Sequence, residues 1–244
     1  DDRRQRATFF CLGWIARKNS GVVRRIAGNG HEIACHSDMH QLVYELGAQK
    51  FREDLKTAIE SLEDIVGEKV VTYRAPGFSV TAGEAPWFFE VLGEQGITVD
   101  CSIFVGRHGH GGMPHFPGYL PTRITWSGGI IREFPMGGAS VFGRPMVYSG
   151  GGYFRLLPYG IIRELARRQN YVMTYFHPRD FDSEQPVAPG LPPIRRFKSY
   201  VGLKAAAAKL GRLLQDFKFV DVRSAVATVR WEETPQIAAS SLGV

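Results

Sequence analysis

The sequence predicts an α/β fold built as a single domain, and three observations support this prediction. Short apolar runs recur along the chain, and segments with apolar residues at three- and four-residue spacing separate them. Polar side chains follow several of these runs directly, which is typical of the carboxyl ends of parallel strands. The 244 residues, of which 44% are hydrophobic, suffice for one sizeable core.

The first strand-helix-strand unit is expected near the amino end. Its strands are residues 8–12 and 32–35, and the helix between them stops at the Gly-Asn-Gly run of residues 28–30. Because apolar residues at helical spacing share one face, that face should be buried against the sheet. It carries four aliphatic side chains, Ile15, Val22, Val23 and Ile26.

Two further units follow the same pattern. A helical apolar stripe over residues 51–66 ends at Gly67, and residues 70–73 form the next expected strand. A helix at residues 86–92 and a strand at residues 97–100 come after it. Each strand is expected to deliver polar residues to the same edge of the sheet.

The middle of the chain is less regular. Residues 104–127 are rich in Gly, Pro and His and are expected to form a long loop, whereas residues 130–134 predict a strand. The Gly-rich turn at residues 149–152 lacks the lysine of a phosphate-binding loop. It is therefore expected to let its backbone approach a neighbouring group or a sugar closely.

The last part returns to regular structure. A helix is predicted at residues 157–168 and a strand at residues 171–176. A final amphipathic helix is expected beyond a Pro-rich loop, and residues 236–244 show no pattern. The apolar side of that helix carries Leu203, Ala207, Leu210, Leu214 and Phe217.

The charge of the chain favours no nucleic-acid partner. The formal net charge is +6 and the isoelectric point is near 9.3, but the basic residues are scattered in pairs without a basic run or a stacking platform. A solvated basic surface is the main interpretation, and an acidic glycan partner is the alternative. The oligomeric state is left open.

Membrane insertion is not expected, because no apolar run approaches the ~18 residues that a spanning helix needs. The amino end also lacks the apolar core of a signal peptide. Three cysteines, Cys11, Cys35 and Cys101, lie in or beside predicted strands without CxxC spacing, so they are expected to be buried free thiols. Together these features favour a cytoplasmic protein, and export of the parent protein is the alternative that stays open.

Five polar residues stand just past the ends of predicted strands and are candidates for one site: His36, His40, Arg74, Asp100 and His177. The two histidines at i and i+4 can face one metal ion across a tight turn. Taken alone, such a pair is as often two surface histidines as a ligand pair. The order and placement of the other candidates favour a site.

Several motifs resemble those of one family. Residues 36–40 (HSDMH) are similar to its metal-binding motif, residues 74–76 (RAP) to its third motif, Asp100 to its fourth and residues 175–177 (YFH) to its last. The family is that of the NodB-type polysaccharide deacetylases, carbohydrate esterase family four. Residues 149–159 and 196–203 resemble more closely its exosortase-associated exopolysaccharide deacetylase branch, over about residues 6–219.

The resemblance implies a distorted, incomplete (β/α) barrel that removes N-acetyl groups from the amino sugars of a polysaccharide. His36 and His40 would hold a divalent metal ion, with zinc as the expected one. His177 would protonate the leaving amine, Asp100 would orient that imidazole, and Arg74 would pair with the catalytic base. The substrate side of the site would include Gly77 and Phe78, as the oxyanion region, and Tyr175, which replaces the leucine usual in the family.

One departure concerns the acidic first motif of the family, which supplies a metal ligand and the base. The sequence has no strand for it. Asp2 cannot end such a strand, because only five residues separate it from Thr8, too few for a crossover helix between parallel strands. A domain over residues 1–230 that lacks its first strand-helix unit, with a tail at 231–244, is therefore expected. Activity of such a chain is in doubt, and two alternatives stay open: a non-catalytic glycan-binding remnant, and a hydrolase of small cyclic amides.

Overall fold

The computed structural model describes residues 5–107, 109–141 and 144–243, without side chains at 140–146. These residues form two compact units. The sheet unit comprises Asp1–Met136 with Phe219–Val244, and the helical unit is Gly137–Lys218. The sequence predicted one domain up to residue 230, whereas the structure groups the end of the chain with its beginning. The early residues Asp1 and Asp2 lie outside the described part.

Nine strands are found in the described residues, in two sheets. The larger sheet has the order β1-β2-β3-β4-β6-β5-β9; it is parallel from β1 to β4 and on to β6, and β5 runs antiparallel to β6. This confirms the α/β prediction, and the sheet is open in the described part of the chain. The strands are β1 Thr8–Cys11, β2 Glu32–Cys35, β3 Thr72–Tyr73, β4 Val99–Asp100, β5 Thr122–Trp126, β6 Gly129–Glu133, β7 Ala139–Val141, β8 Arg144–Met146 and β9 Gln236–Ala238.

The helices connect and flank these strands. None of the described helices is both long and apolar enough to cross a membrane. The α-helices are α1 Gly13–Lys18, α2 Ser20–Gly28, α3 Val43–Val66, α4 Phe88–Glu94, α5 Gly151–Leu156, α6 Tyr159–Arg167, α7 Pro193–Tyr200, α8 Leu203–Asp216, α9 Val222–Thr228 and α10 Ala239–Leu242, and short 3₁₀ turns form at Pro76–Phe78, Pro178–Phe181 and Trp231–Glu233.

The first predicted helix is wrong in two respects. It is divided into α1 and α2 at Asn19, which has non-helical backbone angles. Its buried side chains are Ala16 and Val23, whereas Ile15 and Val22 are exposed. The break at Asn19 shifts the phase of the second helix, so that a single periodic stripe does not describe the buried face.

Three other predictions fail for non-local reasons. The expected long loop at 104–127 contains β5, which pairs with β6 as a hairpin, and the expected tail supplies β9, which pairs with β5. Residues 171–176 form no strand and contribute only an isolated bridge between Tyr175 and Gly150. Strand formation here depends on the partner strand rather than on local propensity.

The sheet unit has a core of aromatic and aliphatic side chains between the sheet and its helices. Helix α3 packs against α1, α2, α4 and β2. Two of the three predicted free thiols, Cys35 and Cys101, are fully buried, and Cys11 is half-buried. The largest fully buried side chains of the unit include Phe51, Leu55, Leu62, Tyr73, Phe88, Phe89, Leu92 and Ile124.

The helical unit is held together by aromatic packing and by the half-buried cation of Lys209. The Phe154 ring packs against Phe176 with centroids 4.8 Å apart. Lys209 Nζ donates to the carbonyls of Phe154, Arg155 and Leu157 at 2.7–2.9 Å, at the carboxyl end of α5. A cation suits this position because the last carbonyls of a helix have no partner within the helix. Beside the β7–β8 pairing, the unit therefore relies on side-chain-to-backbone bonds of this kind.

Candidate active site

The two motif histidines lie beside each other where β2 ends. Their ring centroids are 5.1 Å apart at an interplanar angle of 75°. The Nδ1 atom of His36 lies 2.7 Å from the carbonyl oxygen of Arg74. Because a carbonyl can only accept, Nδ1 carries the proton and the lone pair of the neutral ring is on Nε2. This is the arrangement that orients metal-binding histidines in other proteins.

The backbone of residues 36–40 is strained. Ser37 and His40 have φ angles of 70° and 60°, in the left-handed region that side chains other than glycine rarely adopt. Each such residue costs about 1 kcal/mol or more, so other contacts must impose the conformation. One of them is local, since the Ser37 hydroxyl accepts a hydrogen bond from the His40 amide at 2.9 Å.

Helices α1 and α3 supply the remaining anchors of this loop. The carboxylate of Asp54 accepts hydrogen bonds from the backbone amides of Asp38 and Met39, at 2.8 and 3.1 Å. Burial raises the pKa of Asp54, and the two amide bonds oppose that rise. Arg17 forms a two-pronged ion pair with Asp38, at 2.6 and 2.9 Å. The close fit requires glycine at position 13, where a Cβ would lie 2.2 Å from Asp38 Oδ1.

Arg74 begins the second loop of the site. Its Nε donates to the Cys101 carbonyl at 3.1 Å, and its guanidinium lies 4.0 Å from the centre of the Phe10 ring. The side chain is buried. The backbone of Arg74 therefore orients His36, whereas its side chain contacts the Cys101 carbonyl just after β4 and the Phe10 ring.

The predicted oxyanion region is a tight turn at Pro76–Phe78. Gly77 and Phe78 have φ angles of 61° and 52°. The Phe78 amide donates to the Ala75 carbonyl within the turn, so it is committed to the turn itself. The Ser79 hydroxyl accepts from the amide of Val43, which ties this turn to the start of α3.

Asp100 is fully buried at the end of β4, in register with Glu133 on β6. Asp100 Oδ2 and Glu133 Oε2 are buried and accept no hydrogen bond from a donor of the described residues, and a proton shared between the two carboxyl groups would satisfy both atoms. Burial raises the pKa of Asp100 to about 6. Burial and the neighbouring Asp100 charge raise the pKa of Glu133 well above its ordinary value.

The buried pair supports the second loop. Ser102 Oγ donates to Asp100 Oδ1 at 2.5 Å and accepts from the Ala75 amide at 2.8 Å. The other oxygen on Glu133 accepts from the Ile103 amide at 3.1 Å. The pair thereby fixes the position of the residues that follow Arg74, a role that the sequence did not predict.

His177 lies in the helical unit and has its own carboxylate. It precedes the turn Pro178–Phe181, and its Nδ1 is 3.6 Å from Asp180 Oδ2, which also accepts from the His177 amide at 2.9 Å. Burial would raise the pKa of Asp180, but hydrogen bonds from His177 and the charge of Arg155 together lower it. Asp180 and Arg155 form a buried ion pair at 3.1 Å.

Tyr175 packs over the Gly-rich turn. A Cβ on Gly150 would lie 2.3 Å from the Tyr175 ring, and Gly151 has a φ angle of 52°. The close backbone approach predicted for this turn is therefore made to Tyr175. The Tyr175 ring also lies 6.2 Å from that of His177, so the turn, the tyrosine and the histidine form one local group.

The structure thus brings together His36, His40, Arg74 and Asp100 within the sheet unit, and it places Tyr175 and His177 together in the helical unit. Sequence reasoning missed Asp54, Glu133 and Asp180. Asp180 had a signal, since an acidic residue three positions after a turn-starting residue is a capping pattern. Glu133 lies within the strand predicted at residues 130–134, which is an unusual place for an acid, whereas Asp54 resembles any polar residue of a helix.

The two histidines fit a divalent metal ion as part of its ligand set. Their rings contact each other, and the hydrogen bond of His36 leaves the ligand lone pair on Nε2. Within residues 5–107, 109–141 and 144–243, no group of three or more His, Cys, Asp or Glu side chains is arranged to hold a metal. The described part therefore offers two of the three protein ligands usual at catalytic zinc sites.

Comparisons with known proteins agree with the motifs. Residues 101–227, more than half of the chain, match the family described as a domain of unknown function (DUF3473), and residues 1–83 match the polysaccharide deacetylase family. A peptidoglycan-N-acetylglucosamine deacetylase of Bacillus cereus is 29% identical over 85 residues, which are 35% of this chain and 31% of that protein. The uncharacterized protein YlxY of Bacillus subtilis is 34% identical over 74 residues, or 30% of this chain and 23% of that protein.

The chain thus aligns with less than a third of the length of these curated relatives. A solved structure from Mycobacterium smegmatis, described as a polysaccharide deacetylase, superposes with a TM-score of 0.61 at 20% identity, over 97% of this chain and 76% of that chain. This likeness confirms the deacetylase-type α/β fold that the motifs implied.

Proposed function

The chain belongs to the polysaccharide deacetylase family of NodB type, in the branch with the DUF3473 domain, and on that premise we propose that it removes N-acetyl groups from the amino sugars of a polysaccharide. The family hydrolyses acetyl amide bonds. The observation that carries the proposal is the contact between His36 and His40, with His36 oriented by the Arg74 carbonyl. The resemblance to the exosortase-associated branch supports an exopolysaccharide as the polymer.

The reaction adds water across the amide. The bond between the acetyl carbon and the sugar nitrogen breaks, a carbon–oxygen bond to water forms, and the products are acetate and a free amine. His36 and His40 would hold a divalent metal ion, which supplies Lewis-acid chemistry when bound by polarising the acetyl carbonyl and lowering the pKa of water. Zinc suits imidazole ligands.

The chain's own residues would stabilise the developing charge and supply the proton. The Gly77 region would donate a backbone amide to the oxygen on which negative charge develops. His177 would give its proton to the departing nitrogen, which is a poor leaving group as an anion. Tyr175, already packed against the Gly-rich turn, would line the space for the acetyl methyl group. Arg74 would balance negative charge near the site.

Acetate release from N-acetylglucosamine oligomers tests this proposal. The protein is stripped with a chelator and reloaded with zinc. Acetate and free amines are then quantified, and hydrolysis should release them in equal amounts. We expect His36→Ala to reduce release to background, whereas His115→Ala, which changes an exposed histidine of the same unit, should leave it unchanged. Elemental analysis should show lost zinc only in the first variant.

The open alternatives give other results. Oligomer binding without release of acetate would favour the glycan-binding remnant and overturn the enzymatic proposal. Turnover of a small cyclic amide with no action on the oligomers would favour the third interpretation. Equal zinc content in His36→Ala and the parent protein would remove this residue from the metal site.

A further inference from the structure

The net positive charge of the chain comes from the helical unit. Residues 137–218 contain 13 Lys and Arg against 5 Asp and Glu, a formal charge of +8, whereas the whole chain has +6 and the sheet unit therefore −2. An uneven charge distribution of this size attracts ligands of the opposite sign and accelerates their association. The helical unit is thus the part of the molecule suited to a polyanion.

Helix α7 concentrates this charge beside apolar side chains. None of its residues is buried, and Ile194 and Phe197 are 72% and 58% exposed. Arg195, Arg196 and Lys198 are exposed on the same eight-residue helix, which contains no acidic residue. Two large apolar groups interleaved with three cations form a surface that offers both stacking and ion pairing.

The helix is fixed in place despite its exposure. Arg155 donates to the carbonyls of Lys198, Ser199 and Val201 at 2.8–3.1 Å, around the carboxyl end of α7. The Tyr200 hydroxyl accepts from the Ala188 amide at 2.8 Å. Because these hydrogen bonds to the last carbonyls hold the helix in place, its exposed side chains are presented from a fixed backbone.

The same arginine, Arg155, also pairs with the carboxylate that contacts His177, the candidate acid. Arg155 forms the buried ion pair with Asp180, and Asp180 contacts His177. All of these residues lie in the helical unit. A polymer held on α7 would therefore rest on an element that shares its anchor with the candidate proton donor.

We infer that α7 binds an anionic polysaccharide, with Arg195, Arg196 and Lys198 pairing with its acidic groups and Phe197 packing against a sugar face. This inference rests on the proposed function and deepens it, because it assigns acidic residues to the substrate polymer. An eight-residue helix with two apolar side chains presents little area for membrane insertion. Single-stranded nucleic acids usually need several stacking aromatic rings, whereas α7 has exposed Phe197 and half-buried Tyr200.

Binding to a fluorescent polygalacturonate oligomer tests the inference. We expect Arg195→Gln/Arg196→Gln to weaken binding on the order of tenfold, given the usual strength of exposed ion pairs. The matched control is Arg24→Gln/Arg25→Gln on α2, which removes the same charge from exposed positions and should change binding less than about twofold. Phe197→Ala should weaken binding about fivefold through lost apolar contact.

Several outcomes would overturn the inference. Equal losses in both double variants would indicate a general charge effect. Tighter binding to anionic lipid vesicles, or to single-stranded DNA of equal charge, would assign α7 to another ligand. Circular dichroism of each variant checks that α7 substitutions leave the fold intact, as expected for exposed residues.

Polygalacturonate carries no acetamido group, so this measurement is independent of catalysis. Deacetylation without polygalacturonate binding would remove the inference and leave the proposed function standing. If the protein binds polygalacturonate through α7 but has no deacetylase activity, the proposed function is overturned and the binding surface on α7 stands.

Discussion

The sheet unit and the helical unit position their candidate histidines in different ways. His36 follows a strand in a parallel sheet, and its ring is oriented by the backbone of the neighbouring loop. His177 follows an isolated bridge, and a carboxylate three residues away faces its ring. The first arrangement depends on residues distant in sequence, and the second is largely local.

This difference bears on how each site tolerates change. The loop at residues 36–40 contains two residues with positive φ and is held by Asp54 and Arg17 from two helices, so its geometry should depend on several contacts at once. The turn after His177 is anchored through Asp180 and Arg155. Substituting each anchor separately tests whether the two histidines have independent supports.

Among the substitutions that compare the two units, the largest effect is expected at His177. If this residue supplies the proton to the leaving amine, His177→Ala should lower turnover about 10²- to 10⁴-fold while zinc content stays unchanged. Steady-state rates of acetate release measure turnover, and elemental analysis measures zinc content. Loss of zinc together with activity would make His177 part of the metal site and would erase the contrast between the units.

Asp54→Asn should give the next largest effect. An amide offers one acceptor where the carboxylate accepts two backbone N–H groups, so the strained loop should loosen and zinc affinity should fall about 10- to 100-fold. Competition with a zinc-binding dye measures this. Asp64→Asn is the control, because it makes the same change at an exposed position of α3; an equal fall there would show that charge alone matters.

Asp180→Asn should lower turnover about tenfold, with KM nearly unchanged, because a positioning group acts on the reacting step rather than on substrate binding. Asp182→Asn, an exposed aspartate of the same segment, is the matched control. The sequence assigned the orienting role to Asp100, and that assignment stays a prediction. If Asp100→Asn lowers turnover through His177 while Asp180→Asn does not, the local arrangement of the helical unit has no catalytic role.

The smallest effect concerns stability and the buried pair Asp100–Glu133. Both carboxyls have raised pKa values in the folded state, so they bind protons more tightly there than in the unfolded chain. Their stabilising contribution is fully present below the ordinary pKa of a carboxyl. The share of Asp100 is lost as pH rises through about 6, and the share of Glu133 is lost as pH rises through its own raised pKa.

Glu133→Gln should therefore flatten this pH dependence, because the amide can donate to Asp100 without a shared proton. At pH ~8 its melting temperature should exceed that of the parent by roughly 2–4 °C, the shift expected for about 1 kcal/mol in a chain of this size. Thermal melts from pH 5 to pH 8 provide the measurement. A uniform decrease at every pH would mean that the two carboxyls do not share a proton.

The sequence by itself determined the parallel strands and the residues that follow them. β1 and β2 form close to their predicted bounds, and His36 and Arg74 meet where the strands end. These features could be predicted because apolar runs and the polar residues after them are local signals, and parallel strands end at one edge. The motif order was enough to identify the family.

Only the tertiary structure decided which residues support the site. Asp54 and Asp38 are adjacent because α3 packs beside the loop, and Glu133 meets Asp100 because β6 takes its place next to β4. The end of the chain becomes strand β9 because β5 offers it an edge. No local pattern encodes these contacts, since each depends on the partner that packing brings to it, and a buried acid is stable only beside the group that shares or balances its charge.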